Sequence, residues 1–305
     1  MFHLVFASTL VESVGFGLVT ASILAIAAVG FTLQFGVSNM LNLAYGDIMT
    51  AAAFGAYEVN KAGAPLWVSF IAGMATGAVT SVLLHRYIYR PFVRRGTQLV
   101  GLVIVALSAA VIIQNALLAG FGATFFTLKL PHTSTVHVAG ATLTVLQLVI
   151  IGIAVAAMLA VDAMLRRTRL GKAMRATSGN PALARACGIN TNRVVDTAWL
   201  IAGGLCGLAG VLLVLNTASF ESTTGSDFLV ITIAAAMLGG VGQAYGAMIG
   251  AVVLGVVTEV AAAYTRSSFK EVIAFAVLVI IVLIRPQGMF GQPVTALTMN
   301  KEVVN

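Results

Sequence analysis

The chain has 305 residues, of which 59% are hydrophobic and 9% charged, with a formal net charge of +7. Ordinary soluble domains carry about 25% charged residues, so this composition excludes a soluble globular protein and points to an integral membrane protein. Eleven of the seventeen Lys and Arg residues fall in two short stretches, 86–95 and 166–193; that clustering sets membrane orientation and argues against nucleic-acid binding.

The apolar runs approach or exceed the ~20 residues that cross a hydrocarbon core as helix, and they are continuous rather than alternating. The predicted fold is all-α, a single polytopic transmembrane bundle over residues 1–305 with about eight or nine spans and one or two interrupted helices. The first span is expected at Val11–Phe35; without a basic n-region before it, this segment reads as a retained span and not a cleaved signal. Next comes VSNMLNLAYGDIMTAAAFGAYEVN, in which Asn39, Asn42 and Asp47 interrupt apolar sequence close to Gly36 and Gly46. Polar groups at membrane depth are costly unless they face a cavity or another helix, which makes them candidates for a translocation pathway. Alternatively, Asn42 caps a helix and Asp47 pairs locally. If this stretch crosses completely there are nine spans, and if it is re-entrant there are eight.

A span at Leu66–Leu84 carries Gly73 and Gly77 at small-xxx-small spacing. It runs into HRYIYRPFVRRG, whose four arginines mark the cytoplasmic side and whose Pro91 stops the helix. The next span, Leu99–Phe121, contains Gln114 and Asn115, which read either as inter-helix hydrogen-bond partners or as pathway groups. An external loop, 122–141, precedes a span at Thr142–Leu165, where Asp162 is spaced to pair with Arg166 along a helix.

The stretch RRTRLGKAMRATSGNPALARACGINTNR, Arg166–Arg193, holds seven basic residues and no acidic one. A short helix is legible inside it: Asn180 suits an N-cap, Pro181 the first helical position, and Gly188 a left-handed C-terminal cap. A brief capped helix in a basic cytosolic loop reads as a docking element for a soluble partner, or the loop is basic only to set orientation. After it, Val194–Asn216 carries Gly203, Gly204, Gly207 and Gly210. Two further helices break at GGVGQAYG, where Gln243 and the glycines either line a pathway or make a tight surface turn. The last span, Phe269–Ile284, ends at RPQGMFG, and counting from the basic loops places Arg285 and the C-terminus in the cytoplasm. Cys187 and Cys206 do not read as a disulfide pair, and the four histidines have no metal-ligand spacing.

Four motifs, GFTLQFGVSNMLNLAYGD, YRPFVRRG, GKAMRATSGNPALARACGIN and LGGVGQAYGAMIGAVVLG with the later RPQGMFG, occur in this order along nearly the whole chain. Together they resemble the LivH-type permease subunits of branched-chain amino acid ABC importers, whose relatives also carry amides, urea and other small carboxylates. Tyr45 stands where that family commonly has His, and Asp47 where it commonly has Glu. The resemblance implies an ATP-driven importer in a bacterial-type inner membrane. It also implies a second, LivM-type permease, two cytosolic ATPases that bind ATP and Mg, and a periplasmic or extracellular solute-binding protein. The chain itself would hold no cofactor or metal, because RLGKAM lacks the earlier glycine and the following hydroxyl of a phosphate loop. Within it, Asn180, Pro181, Leu183, Ala184, Arg185 and Gly188 are the candidate ATPase-coupling residues. Asn39, Asn42, Tyr45, Asp47, Gln114, Asn115 and Gln243 are candidates for the pathway. A stand-alone proton- or ion-coupled carrier using Asp47 and Glu259 is the alternative.

Overall fold

The computed structural model describes residues 2–129, 134–138, 141–240, 242–265, 269–284 and 288–290; the expected cytoplasmic Arg285 and the tail after Phe290 lie outside them. Among the described residues the chain is all-α apart from one small two-stranded sheet. Its elements are α1 (Phe2–Ser38), α2 (Tyr45–Lys61), α3 (Leu66–Leu83), a π-helical turn (Leu84–Tyr89), α4 (Arg90–Arg94), α5 (Leu99–Phe121), β1 (Thr135–Val138), β2 (Ala141–Thr144), α6 (Val145–Arg167), α7 (Arg169–Gly179), α8 (Pro181–Ala186), α9 (Thr191–Thr217), α10 (Thr224–Gly239), α11 (Ala244–Tyr264) and α12 (Lys270–Ile284). β1 and β2 pair antiparallel, Thr135 opposite Thr144.

Among the described residues, six helical stretches are long and apolar enough to cross a membrane: Leu10–Ser38, Leu66–Arg94, Leu99–Phe121, Val145–Arg167, Thr191–Thr217 and Ala244–Tyr264. The chain is therefore a multi-pass membrane protein. The remaining apolar helices, α2, α10 and α12, have 17, 16 and 15 residues. At 1.5 Å per residue each is shorter than a ~30 Å hydrocarbon core. Of these, α2 is the segment that made the expected number of spans eight or nine.

Helices α1 and α9 form the centre and α5 and α6 the periphery: Leu24, Ile26, Trp199 and Leu212 are fully buried, whereas Ile112 and Leu159 are exposed. Small residues set the closest approaches. A methyl group on Gly77 of α3 would lie 2.8 Å from Gly207 Cα of α9, and one on Gly17 of α1 would lie 2.9 Å from Val256 Cα of α11. In a bilayer, where lipid tails are as apolar as Leu, this backbone proximity supplies the packing that hydrophobic burial supplies in water.

The two crossings belong to an internal repeat. Each half has a long helix, a short break, a half-length helix and a further helix: α1–α2–α3 and α9–α10–α11. Ser38 and Thr217 close the two long helices and Tyr45 and Thr224 open the two short ones, each pair 179 residues apart. Each break contains a non-glycine residue with positive φ, Asn39 at 51° and Ala218 at 62°. The packing repeats as well: α3 lies on α9 as α11 lies on α1.

The halves run in opposite directions. One end of the bundle gathers the C-termini of α1, α3 and α6 with the N-termini of α9 and α11, through Tyr89 on Asn42, Arg175 on Leu165 and Tyr245 on Asp162. Both basic stretches lie at this end. At the opposite end Asn60 of α2 exchanges hydrogen bonds with Lys129, at 2.8 and 3.4 Å, and Phe126 bridges to Phe220. There Phe54 stacks on Phe121 at 4.2 Å and meets Phe126 and Phe220 edge-on, which covers that end with aromatic rings.

Candidate functional site

The basic loop forms two helices. α6 ends at Arg167, and Thr168 accepts a hydrogen bond from Gly171 N at 3.0 Å to start α7. Arg175 then reaches back 2.7 Å to the Leu165 carbonyl, which satisfies one of the open acceptors at the end of α6. Asn180 caps α8: its Oδ1 accepts from Ala182 N and Leu183 N, both at 3.0 Å, and Pro181 occupies the first helical position. Gly188 follows with φ +82°, a conformation that side chains rarely tolerate, and its N–H donates to Arg185 O at 3.0 Å. Asn190 then caps α9 by accepting from Arg193 N at 3.2 Å.

The exposed face of α8 is carried by Leu183, 61% exposed, with Ala182, Arg185 and Ala186 beside it. Ala184 points the other way and is buried. Ala184 is one of the expected ATPase-coupling residues. The structure turns it inward: of the six residues of α8, Ala184 alone is buried. An apolar Leu held outward on a doubly capped helix is unusual for a loop that only sets charge.

The α1–α2 break is the second polar region. Asn42 is buried; its Nδ2 donates to Gln34 Oε1 at 3.2 Å, and its Oδ1 accepts from Ala44 N at 3.1 Å and Tyr89 OH at 2.8 Å. Asn42 thus ties the break together from within. Asp47 is 2% exposed and its Oδ1 has no hydrogen-bond partner. Asn39, by contrast, is exposed at the corner of the break.

Tyr45 is fully buried, its hydroxyl donating 3.0 Å to Ala27 O of α1 and its ring standing edge-on to Phe31. Its carbonyl accepts from Cys206 Sγ at 3.2 Å. The structure therefore places Tyr45 as a joint between α1, α2 and α9. Gln243 opens α11 and lines a cavity of about 200 Å³ together with Thr32, Gly36, Met174, Arg175 and Ser178. That cavity lies between the end of α1, α7 and the α10–α11 turn.

Gln114 and Asn115 do not join these groups. They lie on peripheral α5, where Asn115 is exposed and donates 2.8 Å to its own helix at Val111 O. Glu259, the carboxylate behind the carrier alternative, accepts from Lys270 Nζ at 2.7 Å and Thr20 Oγ1 at 2.9 Å. Among the described residues no group of His, Cys, Asp or Glu could hold a metal ion. Cys187 is exposed and Cys206 buried, both free.

Sequence reasoning missed the cluster beside the break. Asp196 of α9 lies 3.3 Å from His85 Nε2 and 3.6 Å from Arg90 Nη1. His85 stacks on Trp199 at 4.7 Å, and Tyr89 packs on the same side chain at 5.2 Å. The available signal was the run HRYIYR, whose His and second Arg are five apart, a spacing with no meaning until the helix is known to be π there.

An inverted pair of helical repeats, with half-length helices meeting at its centre and a capped helix presented at its basic end, defines a polytopic membrane permease. The comparisons make the class specific. The family described as branched-chain amino acid transport system, permease component, matches residues 13–282, and the chain belongs to it. The LivH high-affinity branched-chain amino acid permease of Salmonella typhimurium strain LT2 is 30% identical over 291 residues, covering 91% of this chain and 94% of the relative. LivH of Escherichia coli K12 is 29% identical over 294 residues with the same coverage. BraD of Pseudomonas aeruginosa is 27% identical over 291 residues, again covering 91% of this chain and 94% of the relative. No solved structure matches the chain.

Proposed function

We propose that this permease is one membrane subunit of an ATP-driven importer that carries branched-chain amino acids or closely related small solutes. The observation that carries the reading is the family match over residues 13–282 together with α8, whose exposed Leu183 and Arg185 project from a rigid mount at the basic end. In this reading the basic end and the C-terminus face the cytoplasm. Two cytosolic ATPases that bind ATP and Mg dock on α8 through an apolar cleft for Leu183 and an acidic rim for Arg185. A second permease of the LivM type completes the membrane dimer, and a solute-binding protein delivers cargo to the opposite end.

ATP-driven closure of the ATPases then moves α8 and α9 together, because Asn190 and the Gly188 turn join them within a few residues. The moving element inside the bundle is the crossing of α2 and α10. It is covered by the Phe54–Phe121–Phe126–Phe220 cluster at one end and by the Asn42–Tyr89 contact at the other. Opening one cover while keeping the other closed is alternating access by rocking of repeats.

The test is affinity purification from the native membrane in mild detergent, followed by reconstitution and uptake of labelled leucine, isoleucine and valine with and without ATP. Recovery of ATPases and a second permease with ATP-dependent uptake is the expected result. A chain recovered alone that still moves solute in liposomes would overturn the proposal in favour of the stand-alone carrier.

A further inference from the structure

The cluster at the basic end has a feature that simple packing does not require. Residues 84–89 are π-helical, and Arg90 N–H donates to the His85 carbonyl, an i→i+5 bond. In an α-helix of 3.6 residues per turn, positions five apart face different directions. The wider π register turns less per residue and brings them closer to the same side. Here the two residues joined by that bond, His85 and Arg90, both converge on Asp196, at 3.3 and 3.6 Å.

Asp196 stands in the second turn of α9, a few residues beyond α8 and the Asn190 cap. From it an unbroken set of contacts leads to the helix break. His85 stacks on fully buried Trp199, whose carbonyl also accepts from Ser81 Oγ at 2.9 Å. Tyr89 packs on Trp199 and donates 2.8 Å to Asn42 Oδ1. The same oxygen holds Ala44 N, the cap of α2.

We infer that Asp196, His85, Tyr89 and Asn42 form the connection that carries movement of the α8–α9 joint to the start of α2, with Asp196 and Tyr89 as positioning residues for transport. The inference rests on the importer reading above. In this proposal the π turn is the element that changes register: Asp196 lies 3.3 Å from His85 within the turn and 3.6 Å from Arg90 just past it, and loss of those contacts lets the register relax. Tyr89 turns with that register, and Asn42 and the first turn of α2 follow. Coupling through a packed chain of this kind needs a bistable element that both sites bias, and in the proposal that part falls to the π turn.

The experiment uses the full complex, with its ATPases, second permease and binding protein, in proteoliposomes. Solute moved per ATP hydrolysed is measured for the wild type, Asp196→Asn, Asp196→Glu, Tyr89→Phe and the Asp196→Asn/Tyr89→Phe pair, alongside complex yield. Tyr89→Phe removes only the hydroxyl, so its shape is kept and assembly is retained. The expected result is a roughly tenfold fall in the ratio for Asp196→Asn and for Tyr89→Phe, partial rescue by Asp196→Glu, and a double variant no worse than the poorer single one, as for two points on one path. An unchanged ratio in Tyr89→Phe, a loss that tracks complex yield alone, or losses that multiply in the double variant would each overturn the inference. Absence of ATP-driven uptake by the wild-type complex would overturn the importer reading and this inference with it.

Discussion

Gly46 and Gly225 lie backbone against backbone, at the second position of α2 and of α10. A methyl group on Gly46 would sit 2.8 Å from Gly225 C and 2.8 Å from Ser226 Cα. Thr50, one turn on, accepts from Gly225 N at 3.0 Å. The neighbours are main chain and cannot rotate away, so Gly46→Val is expected to destabilise the protein by about 1–3 kcal/mol. Gly204→Ala, where a methyl group meets nothing within 4 Å, is expected to be neutral. Thermal unfolding in detergent distinguishes the two.

The buried Tyr45 hydroxyl is committed to Ala27 O. Tyr45→Phe is expected to cost about 1 kcal/mol and to leave the order of preference among leucine, isoleucine and valine unchanged. A changed order in competition uptake would place this hydroxyl on the solute pathway.

At α8 the two faces have different expected effects. Leu183→Glu is expected to abolish ATP-dependent uptake and recovery of the ATPases while the melting temperature stays that of the wild type. Asn180→Ala removes the acceptor for two backbone donors at α8, with a cost of about 1 kcal/mol to that turn, and is expected to weaken ATPase recovery only partly. Pull-down of the ATPases by each variant measures both.

Glu259 and Lys270 staple α11 to α12, with the Glu259 side chain 15% and the Lys270 side chain 37% exposed. Lys270 is more than a third exposed, so the pair contributes only about 1 kcal/mol. Glu259→Gln is expected to lower thermal stability by that amount and to leave uptake intact between pH 6 and about pH 8, a range in which an unpaired histidine would titrate. Loss of uptake in Glu259→Gln without loss of stability would revive the proton-coupled alternative.

Much of this architecture was legible in the sequence because apolar length and basic clustering carry it. The runs around Leu99–Phe121 and Val145–Arg167 have no competing reading, and Asn180, Pro181 and Gly188 spell out α8 with standard capping chemistry. The repeat was not legible. It persists in helix lengths, in two positive-φ corners and in the placing of small residues, while Asn39 and Ala218 share no chemistry that a reader of one sequence would pair. The polar candidates failed to sort for a related reason: an amide in an apolar run looks the same whether it ties a break together, as Asn42 does, or bonds to its own helix on the periphery, as Asn115 does. The Asp196 cluster was hidden because its partners are more than a hundred residues away in sequence and meet through a local change of helical register.

That register leaves one position in the chain where length itself is informative. Removing a single residue from Leu84–Tyr89 would let an ordinary α-helix run unbroken from Leu66 into the arginine stretch, with every backbone bond satisfied. The same deletion would leave Arg90 facing Asp196, because four α-helical steps of about 100° turn the chain about as far as the five wider steps from His85 to Arg90. The shortened chain would keep its spans and the side of the helix that meets α9 but lose the wide turn, so a frame-preserving deletion of three nucleotides separates what the segment does for folding from what it does for movement.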